Sequence, residues 1–129
     1  MYSAKIVSSS REFSKREIVA LKQSADFVPM NSKVEKDGPF TFNVVDFAVI
    51  EIHNDKAENP DYTSYVFMAD DGTRYCTSSS SFFDNFFDIW SDMTDEEGKS
   101  VDGEPITIKV FGKPSKKFTG KNFLTCALV

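Results

Sequence analysis

The fold is decided by the stretch YTSYVFMADDGTRYCT, residues 62–77, in which two strand-like runs flank a tight turn. Residues 62–69 are rich in aromatic and β-branched side chains, which favour strands. Asp70-Asp71-Gly72 is typical of a tight hairpin turn, because glycine readily adopts the positive φ that such a turn requires. Residues 73–77 are therefore predicted to be the second strand of an antiparallel hairpin.

The flanking segments extend this hairpin into a longer series of strands. Upstream, residues 42–53 are β-branched and aromatic, and their length predicts one long, bent strand. A polar loop, residues 54–61, joins that strand to the hairpin. Downstream, residues 106–111 and 122–129 are predicted to be the last two strands of the chain.

A phenylalanine-rich segment between the third and fourth predicted strands has helical spacing. From Phe82 to Met93 large apolar side chains recur on one face, with polar ones opposite, so the stripe is interpreted as core. Residues 78–81 are serines that supply helix caps, and Ser81 with Asp84 resembles a capping box. The acidic residues 94–104 that follow are predicted to be a mobile loop.

The order strand, strand, strand, helix, strand, strand is that of a five-stranded oligonucleotide/oligosaccharide-binding (OB) barrel. We therefore predict a mainly β protein with an OB-fold domain over residues 42–129. Residues 1–41 are predicted to be an N-terminal extension. It has a short helix over about residues 14–25, because Ser14 and Glu17 have the spacing of a capping box, and a loop over residues 27–40.

Charge is distributed unevenly along the chain. Residues 1–36 contain seven basic and four acidic side chains, whereas residues 37–104 contain three basic and sixteen acidic ones. Residues 105–129 contain five lysines and no carboxylate, although the whole chain carries a net charge of -5. The local field at a site matters more than this total, so an acidic chain can still offer a cationic surface.

Four lysines and one phenylalanine lie in or beside the loop between the last two predicted strands: Lys113, Lys116, Lys117, Phe118 and Lys121. In an OB barrel this loop borders the binding groove. Ammonium groups contact phosphates and an aromatic ring stacks on a base, so the loop predicts a nucleic-acid site. The alternative is a hairpin that its lysines merely keep soluble. The other loop bordering the groove, residues 54–61, is net acidic and fits a phosphate poorly.

Four strand residues are further candidates for the same groove. In residues 106–111 aliphatic side chains alternate with others, so Lys109 is predicted to point outward. Arg74, Tyr65 and Tyr75 are predicted to line the groove from the hairpin. The alternative for the tyrosines is ordinary packing with a solvated hydroxyl group. The N-terminal basic residues either contact phosphates or form a solvated helix face: Arg11, Lys15, Arg16 and Lys22.

The sequence offers little for catalysis or metal binding. His53 is the only histidine and is expected at the surface, and we find neither a glycine-rich phosphate loop nor a nucleophile elbow. Cys76 and Cys126 are expected to be free thiols and form no recognisable zinc site with it. No apolar run approaches the roughly 20 residues that cross a bilayer, and the N-terminus lacks a signal-peptide core. We expect a cytoplasmic, non-enzymatic protein without metal or cofactor.

Three segments, residues 48–58, 71–75 and 114–126, resemble in their order the small single-stranded DNA-binding proteins of bacteriophages and conjugative plasmids of Gram-positive bacteria. The resemblance covers about residues 14–129. It implies an OB fold, a location in the cytoplasm of the bacterial host, and protection of single-stranded DNA during replication or transfer. The chain ends in a strand-like run and not in an acidic tail, so partner recruitment through such a tail is not expected.

Two further hypotheses concern partners. An extended segment over residues 1–13 would pair with a neighbouring subunit and align molecules along a DNA strand. The alternative function is that of a protein-binding OB module, a phage inhibitor or scaffold. The acidic residues 37–104 would then form its interface and the lysine loop would only aid solubility.

Overall fold

The structure is a computed structural model that describes residues 2–23, 26–56, 58–114 and 122–129. The chain is mainly β, as predicted, and its sheet is strongly curled into a half-barrel. The elements are β1 (Tyr2–Ser9), α1 (Lys15–Lys22), β2 (Val28–Pro29), α2 (Met30–Asp37), β3 (Phe40–Asn54), β4 (Asp61–Ala69), β5 (Arg74–Thr77), α3 (Ser80–Met93), β6 (Ile106–Pro114) and β7 (Asn122–Leu128). No helix in the described ranges is both long and apolar enough to cross a membrane.

β3 is the central strand of the sheet. One of its edges pairs with β4 over residues 44–53. Its other edge is divided, because β6 pairs with residues 40–44 and β1 pairs with residues 48–54. The strand order is β2-β5-β4-β3-β6-β7, with β1 attached to β3 beside this path. These pairs are antiparallel except β2–β5, which is parallel.

A β-bulge bends β3 where its partners change. The register with β4 passes from Val44 opposite Ala69 to Asp46 opposite Met68, so Val45 has no partner on β4. An extra residue in one strand bends that strand and increases its twist. The bulge therefore gives the predicted long, bent strand its bend, and it reverses the alternation of faces from that point onward.

The β4–β5 hairpin forms at the predicted turn. Ala69 N–H donates to the carbonyl of Thr73 at 2.9 Å, and Gly72 N–H donates to the carbonyl of Ala69 at 3.1 Å. Gly72 has a φ of 90°, which a residue with a Cβ adopts only under strain.

The concave face of the sheet holds the larger core, which α3 covers. Phe67, Phe82 and Phe86 are completely buried there. Each ring of this size stabilises the fold by about 1.5–3 kcal/mol through burial. The apolar stripe of α3 is thus core, as predicted. The helix begins earlier than predicted, however, because Ser79 and not Ser81 is its N-cap and accepts the N–H of Phe82 at 3.2 Å.

The convex face carries a second core, which the N-terminal segment covers. Its buried members are Leu21, Phe27, Ala48, Ile50, Ile52 and Val66. The predicted capping box of α1 is confirmed, since Ser14 Oγ accepts the N–H of Glu17 and the Glu17 carboxylate accepts the N–H of Ser14. β1 pairs with β3 of its own chain, and the hypothesis that residues 1–13 also pair with a neighbouring subunit stays a prediction. The boundary predicted at residue 41 falls inside β3.

Residues 27–40 were predicted to be a loop, and this prediction is wrong. They contain β2 and α2. Met30 is completely buried and Val34 packs against the concave core, so tertiary burial stabilises a helix that has no side-chain cap. Pro29 precedes the helix and Gly38, with a φ of 82°, ends it. The proline and glycine that indicated a loop are thus helix boundaries.

The loop over residues 94–104 has a defined hydrogen-bonding pattern. Asp95 Oδ1 accepts the N–H groups of Glu97 and Lys99, each at 2.9 Å. Val101 N–H donates to the carbonyl of Met93 at 3.0 Å, which ties the loop to the end of α3. A sequence of acidic and glycine residues therefore forms a folded turn here.

Both cysteines are free thiols, as predicted. Cys126 is buried in the concave core, and this burial raises the pKa of its thiol to about 12. The thiol is therefore protonated at neutral pH and behaves as a small apolar side chain.

Candidate nucleic-acid interface

β6 separates its side chains cleanly between the core and the surface. Ile106, Ile108 and Val110 are buried, whereas Lys109 and Lys113 are exposed and Phe111 between them is half-buried. The alternation follows from strand geometry, in which successive side chains point to opposite faces. The prediction that Lys109 points outward is confirmed.

β7 adds a second aromatic ring to the outward side of β6. In the register of the two strands Phe123 lies opposite Lys113 and Ala127 lies opposite Lys109. Opposite residues of an antiparallel pair project from the same face. Phe123 is 41% exposed. Lys109, Phe111, Lys113 and Phe123 therefore form one surface, called here the lysine–phenylalanine face.

The electrostatics of this face suit an anionic ligand. Lys109 Nζ lies 5.6 Å from the ring centroid of Phe111, a cation–π distance. Within the described ranges neither Lys109 nor Lys113 forms an ion pair. The neighbouring positions of β3, Thr41 and Asn43, are uncharged. Both ammonium groups are thus available to phosphates beside two rings that offer flat surfaces.

Four of the predicted site residues, Lys116, Lys117, Phe118 and Lys121, lie outside the described residues. β6 ends at Pro114 and β7 begins at Asn122, so these residues follow directly from the lysine–phenylalanine face in sequence. Their role stays a prediction.

The predicted tyrosines lie on the other face of the sheet. Tyr75 is only 8% exposed, and its ring packs against Phe40 and Phe42 with centroids 5.1 and 4.8 Å apart. Tyr65 is half-buried and stacks on Phe83 at 4.6 Å. Both rings belong to the concave core or its margin. The structure does not bring them together with the lysines, and the ring of Tyr75 is a core group.

Arg74 shares the convex face with the lysines but lies elsewhere on it. Its partner on β4 is Met68, and its guanidinium lies 5.9 Å from the ring centroid of Phe27. β5 is three positions away from β6 in the sheet, which corresponds to roughly 14 Å along an uncurved sheet. Arg74 is therefore separate from the lysine–phenylalanine face.

A groove of about 530 Å³ opens at the far end of the sheet, between β1, β3 and β4. Its charged side chains are Lys5, Glu51, His53 and Asp61. His53 Nδ1 lies 2.6 Å from Asp61 and its Nε2 lies 2.5 Å from Asp55. These hydrogen bonds raise the pKa of His53, and the bond to Asp61 contributes more than the bond to Asp55. Two carboxylates engage both ring nitrogens, so the groove suits phosphate poorly.

Two residues of the lysine–phenylalanine face were not among the predicted site residues. Phe111 had a signal in the sequence, since it alternates with Lys109 and Lys113 on one strand. No pattern in the sequence indicated Phe123, because its position opposite Lys113 depends on the register of β6 and β7.

Comparison of the chain with protein-family models, curated proteins and solved structures gives no match.

Proposed function

We propose that the chain is a non-enzymatic protein that binds and protects single-stranded DNA, without sequence preference, through the lysine–phenylalanine face. The half-barrel is, in this proposal, an OB fold whose five strands are β3 to β7. The proposed setting is phage replication or plasmid transfer in the cytoplasm of the bacterial host, and the resemblance of the sequence supports it.

One observation carries the proposal. On the β6–β7 hairpin, two exposed lysines without ion pairs in the described ranges alternate with a phenylalanine, and a second phenylalanine lies opposite one of them. Proteins that bind unpaired strands without sequence preference combine cations for the backbone with rings on which bases stack. Bases are accessible to such stacking only where the strand is unpaired, which favours single strands over duplex.

The magnitudes expected of this face are moderate. Each stacked base contributes about 1–3 kcal/mol, and each neutralised phosphate adds about 0.7 to the log–log salt dependence. The remainder of the affinity is assigned to the loop lysines Lys116, Lys117 and Lys121. Binding should therefore be strongly weakened by salt.

The test is a fluorescence-anisotropy titration with oligo-dT, oligo-dA and duplex of equal length. The variant is Lys109→Glu with Lys113→Glu. The matched control is Lys56→Glu with Lys99→Glu, which makes the same charge change at exposed lysines in two other turns. We expect the first pair to weaken oligo-dT binding at least about tenfold, since two phosphate contacts become repulsive, and the control pair to change it much less.

Two outcomes would overturn the proposal: duplex binding as tight as oligo-dT binding, or equal losses in the two double variants. Absent or salt-indifferent binding would favour the alternative, a protein-binding module that uses the acidic residues 37–104.

A further inference from the structure

The solvent face of α3 presents one large apolar side chain between two carboxylates. Asp84, Phe87 and Asp88 have the i, i+3, i+4 spacing of residues that share a helix face. Phe87 is 43% exposed, although the inner side of its ring contacts Phe47. In the part of the chain that the structure describes, neither Asp84 nor Asp88 forms an ion pair. The side chains of the described residues therefore leave this apolar, anionic surface uncovered.

α1 has a surface of the opposite character. A shallow depression of about 370 Å³ is lined by Lys15, Arg16, Val19, Ala20 and Gln23. Val19 is 55% exposed, and neither of the two cations forms an ion pair within the described ranges.

The nearest carboxylate on α1 does not neutralise this depression. Glu17 is bound by Arg11, with a nitrogen–oxygen distance of 2.5 Å. The hydrogen bond from Arg11, together with the one from the backbone of Ser14, lowers the pKa of Glu17 to about 2. The depression therefore keeps an apolar floor and a cationic rim.

The two surfaces face away from each other within one molecule. α1 contributes Leu21 to the core on the convex face of the sheet, whereas α3 contributes Phe82 and Phe86 to the core on the concave face. A contact between them therefore joins two different molecules. Because it uses a different surface on each molecule, it is heterologous and leaves one surface of each kind open at the ends of the assembly.

We propose that copies of this chain associate head to tail, with Phe87 of one copy seated in the α1 depression of the next. Asp84 and Asp88 then lie opposite Lys15 and Arg16. Charge complementarity around an apolar centre selects a second copy as the occupant, since one chain carries both halves of the contact. If the proposed DNA-binding function also holds, the same contact makes binding to long strands cooperative.

The test is sedimentation equilibrium of the full chain at low salt, without DNA, over a range of concentrations. We expect the average mass to rise above the monomer mass of 14.5 kDa for the wild type. Phe87→Ser alone, and Lys15→Glu with Arg16→Glu, should each weaken association at least about tenfold, as loss of a central contact does. Adding Asp84→Lys and Asp88→Lys to the second variant should restore association, because both sides of the contact are then reversed.

Thermal unfolding of each variant shows whether it is folded, and Tyr62→Leu, which replaces an exposed ring on β4 outside both surfaces, should associate as the wild type does. A wild type that stays monomeric at every concentration would overturn the inference, and so would a folded four-residue charge swap that fails to associate.

Binding to single strands separates this inference from the proposed function. On an oligonucleotide that holds one molecule, the α1 and α3 variants should keep the wild-type affinity, and on a long strand they should lose cooperativity. Self-association without any DNA binding would contradict the function and leave the inference standing. If the charge-reversed α1 variant loses affinity for the short strand and the swap does not restore association, Lys15 and Arg16 contact phosphates and the inference is wrong.

Discussion

At the scale of single residues, charge and ring play separate roles on the lysine–phenylalanine face. Lys109 and Lys113 supply positive charge that acts over a distance, whereas Phe123 contributes only where a base lies flat on its ring. The two contributions therefore respond differently to substitution. Loss of a ring should weaken binding at all salt concentrations, and loss of a lysine should matter most at low salt.

Phe123→Leu removes the flat ring and keeps an apolar side chain. Because one stacked base contributes about 1–3 kcal/mol, affinity for oligo-dT should fall roughly 5- to 150-fold while the salt dependence stays unchanged. Tyr62→Leu is the matched control, since Tyr62 is similarly exposed at the far end of β4. An anisotropy titration measures both variants. Equal affinities for Phe123→Leu and the wild type would contradict a stacking role.

His53 gives the fold a pH dependence of predictable sign. Hydrogen bonds to Asp61 and Asp55 raise the pKa of His53 in the folded state, so the protonated ring stabilises the fold. This contribution is fully present below the unfolded pKa of about 6.5 and is lost as pH rises through the higher folded value. His53→Gln should therefore lower the free energy of unfolding at pH 5.5 and have much less effect at pH 9. Urea unfolding at the two pH values checks this, and equal effects would contradict it.

At the scale of elements, local patterns predict what a single element does by itself. The β4–β5 hairpin followed from Asp70-Asp71-Gly72, and the inward and outward sides of β6 followed from its alternation. α2 could not be predicted, because its short sequence lacks a side-chain cap and its stability comes from burial of Met30 in a core assembled by distant strands. Residues 1–13 were hypothesised to be extended, but the pairing of β1 with β3 could not be predicted, because its partners, residues 48–54, lie far along the chain.

The shared face of the site could not be predicted either. Alternation relates Lys109 to its neighbours on β6, but the relation of Lys109 to Tyr65 passes through β3. The bulge at Val45 adds one residue to β3. Each side chain after it therefore projects from the face opposite to the one that simple alternation would give. Sequence alone gives no count of such extra residues, so it placed the tyrosines and lysines in one groove.

α2 offers a direct test of stabilisation by burial. Met30→Ala should lower the free energy of unfolding by about 2–5 kcal/mol, because it leaves a cavity at a completely buried position. Glu35 on the same helix is exposed, so Glu35→Ala should change the free energy of unfolding by less than about 0.5 kcal/mol. Urea unfolding followed by circular dichroism gives both values. A small effect of Met30→Ala would show that α2 does not depend on this contact.

At the scale of the whole molecule, the cationic hairpin belongs to a chain whose total net charge is -5. The acidic residues 37–104 repel a polynucleotide and the cationic hairpin attracts it, which should orient the strand as it approaches. The same distribution makes binding sensitive to ionic strength. At about 0.15 M salt the field extends roughly 8 Å, so only charges close to the strand contribute.

The salt dependence of binding counts the phosphates that the protein neutralises. The double variant Lys109→Glu with Lys113→Glu should reduce the log–log slope by about 1.4, since each lysine accounts for about 0.7. Lys56→Glu with Lys99→Glu should leave the slope close to that of the wild type. Titrations at four or more salt concentrations give the slopes. Parallel lines for the wild type and the first variant would mean that the two lysines contact no phosphate.

The measurement that tests the central claim most directly is an NMR titration of the isotope-labelled full chain with oligo-dT. The account predicts the largest chemical-shift changes at the backbone amides of the lysine–phenylalanine face: Lys109, Phe111, Lys113 and Phe123. The amide resonances of Glu51, His53 and Asp61 at the acidic groove should not change. Shifts concentrated at that groove or on α3, with the β6–β7 hairpin unaffected, would contradict it.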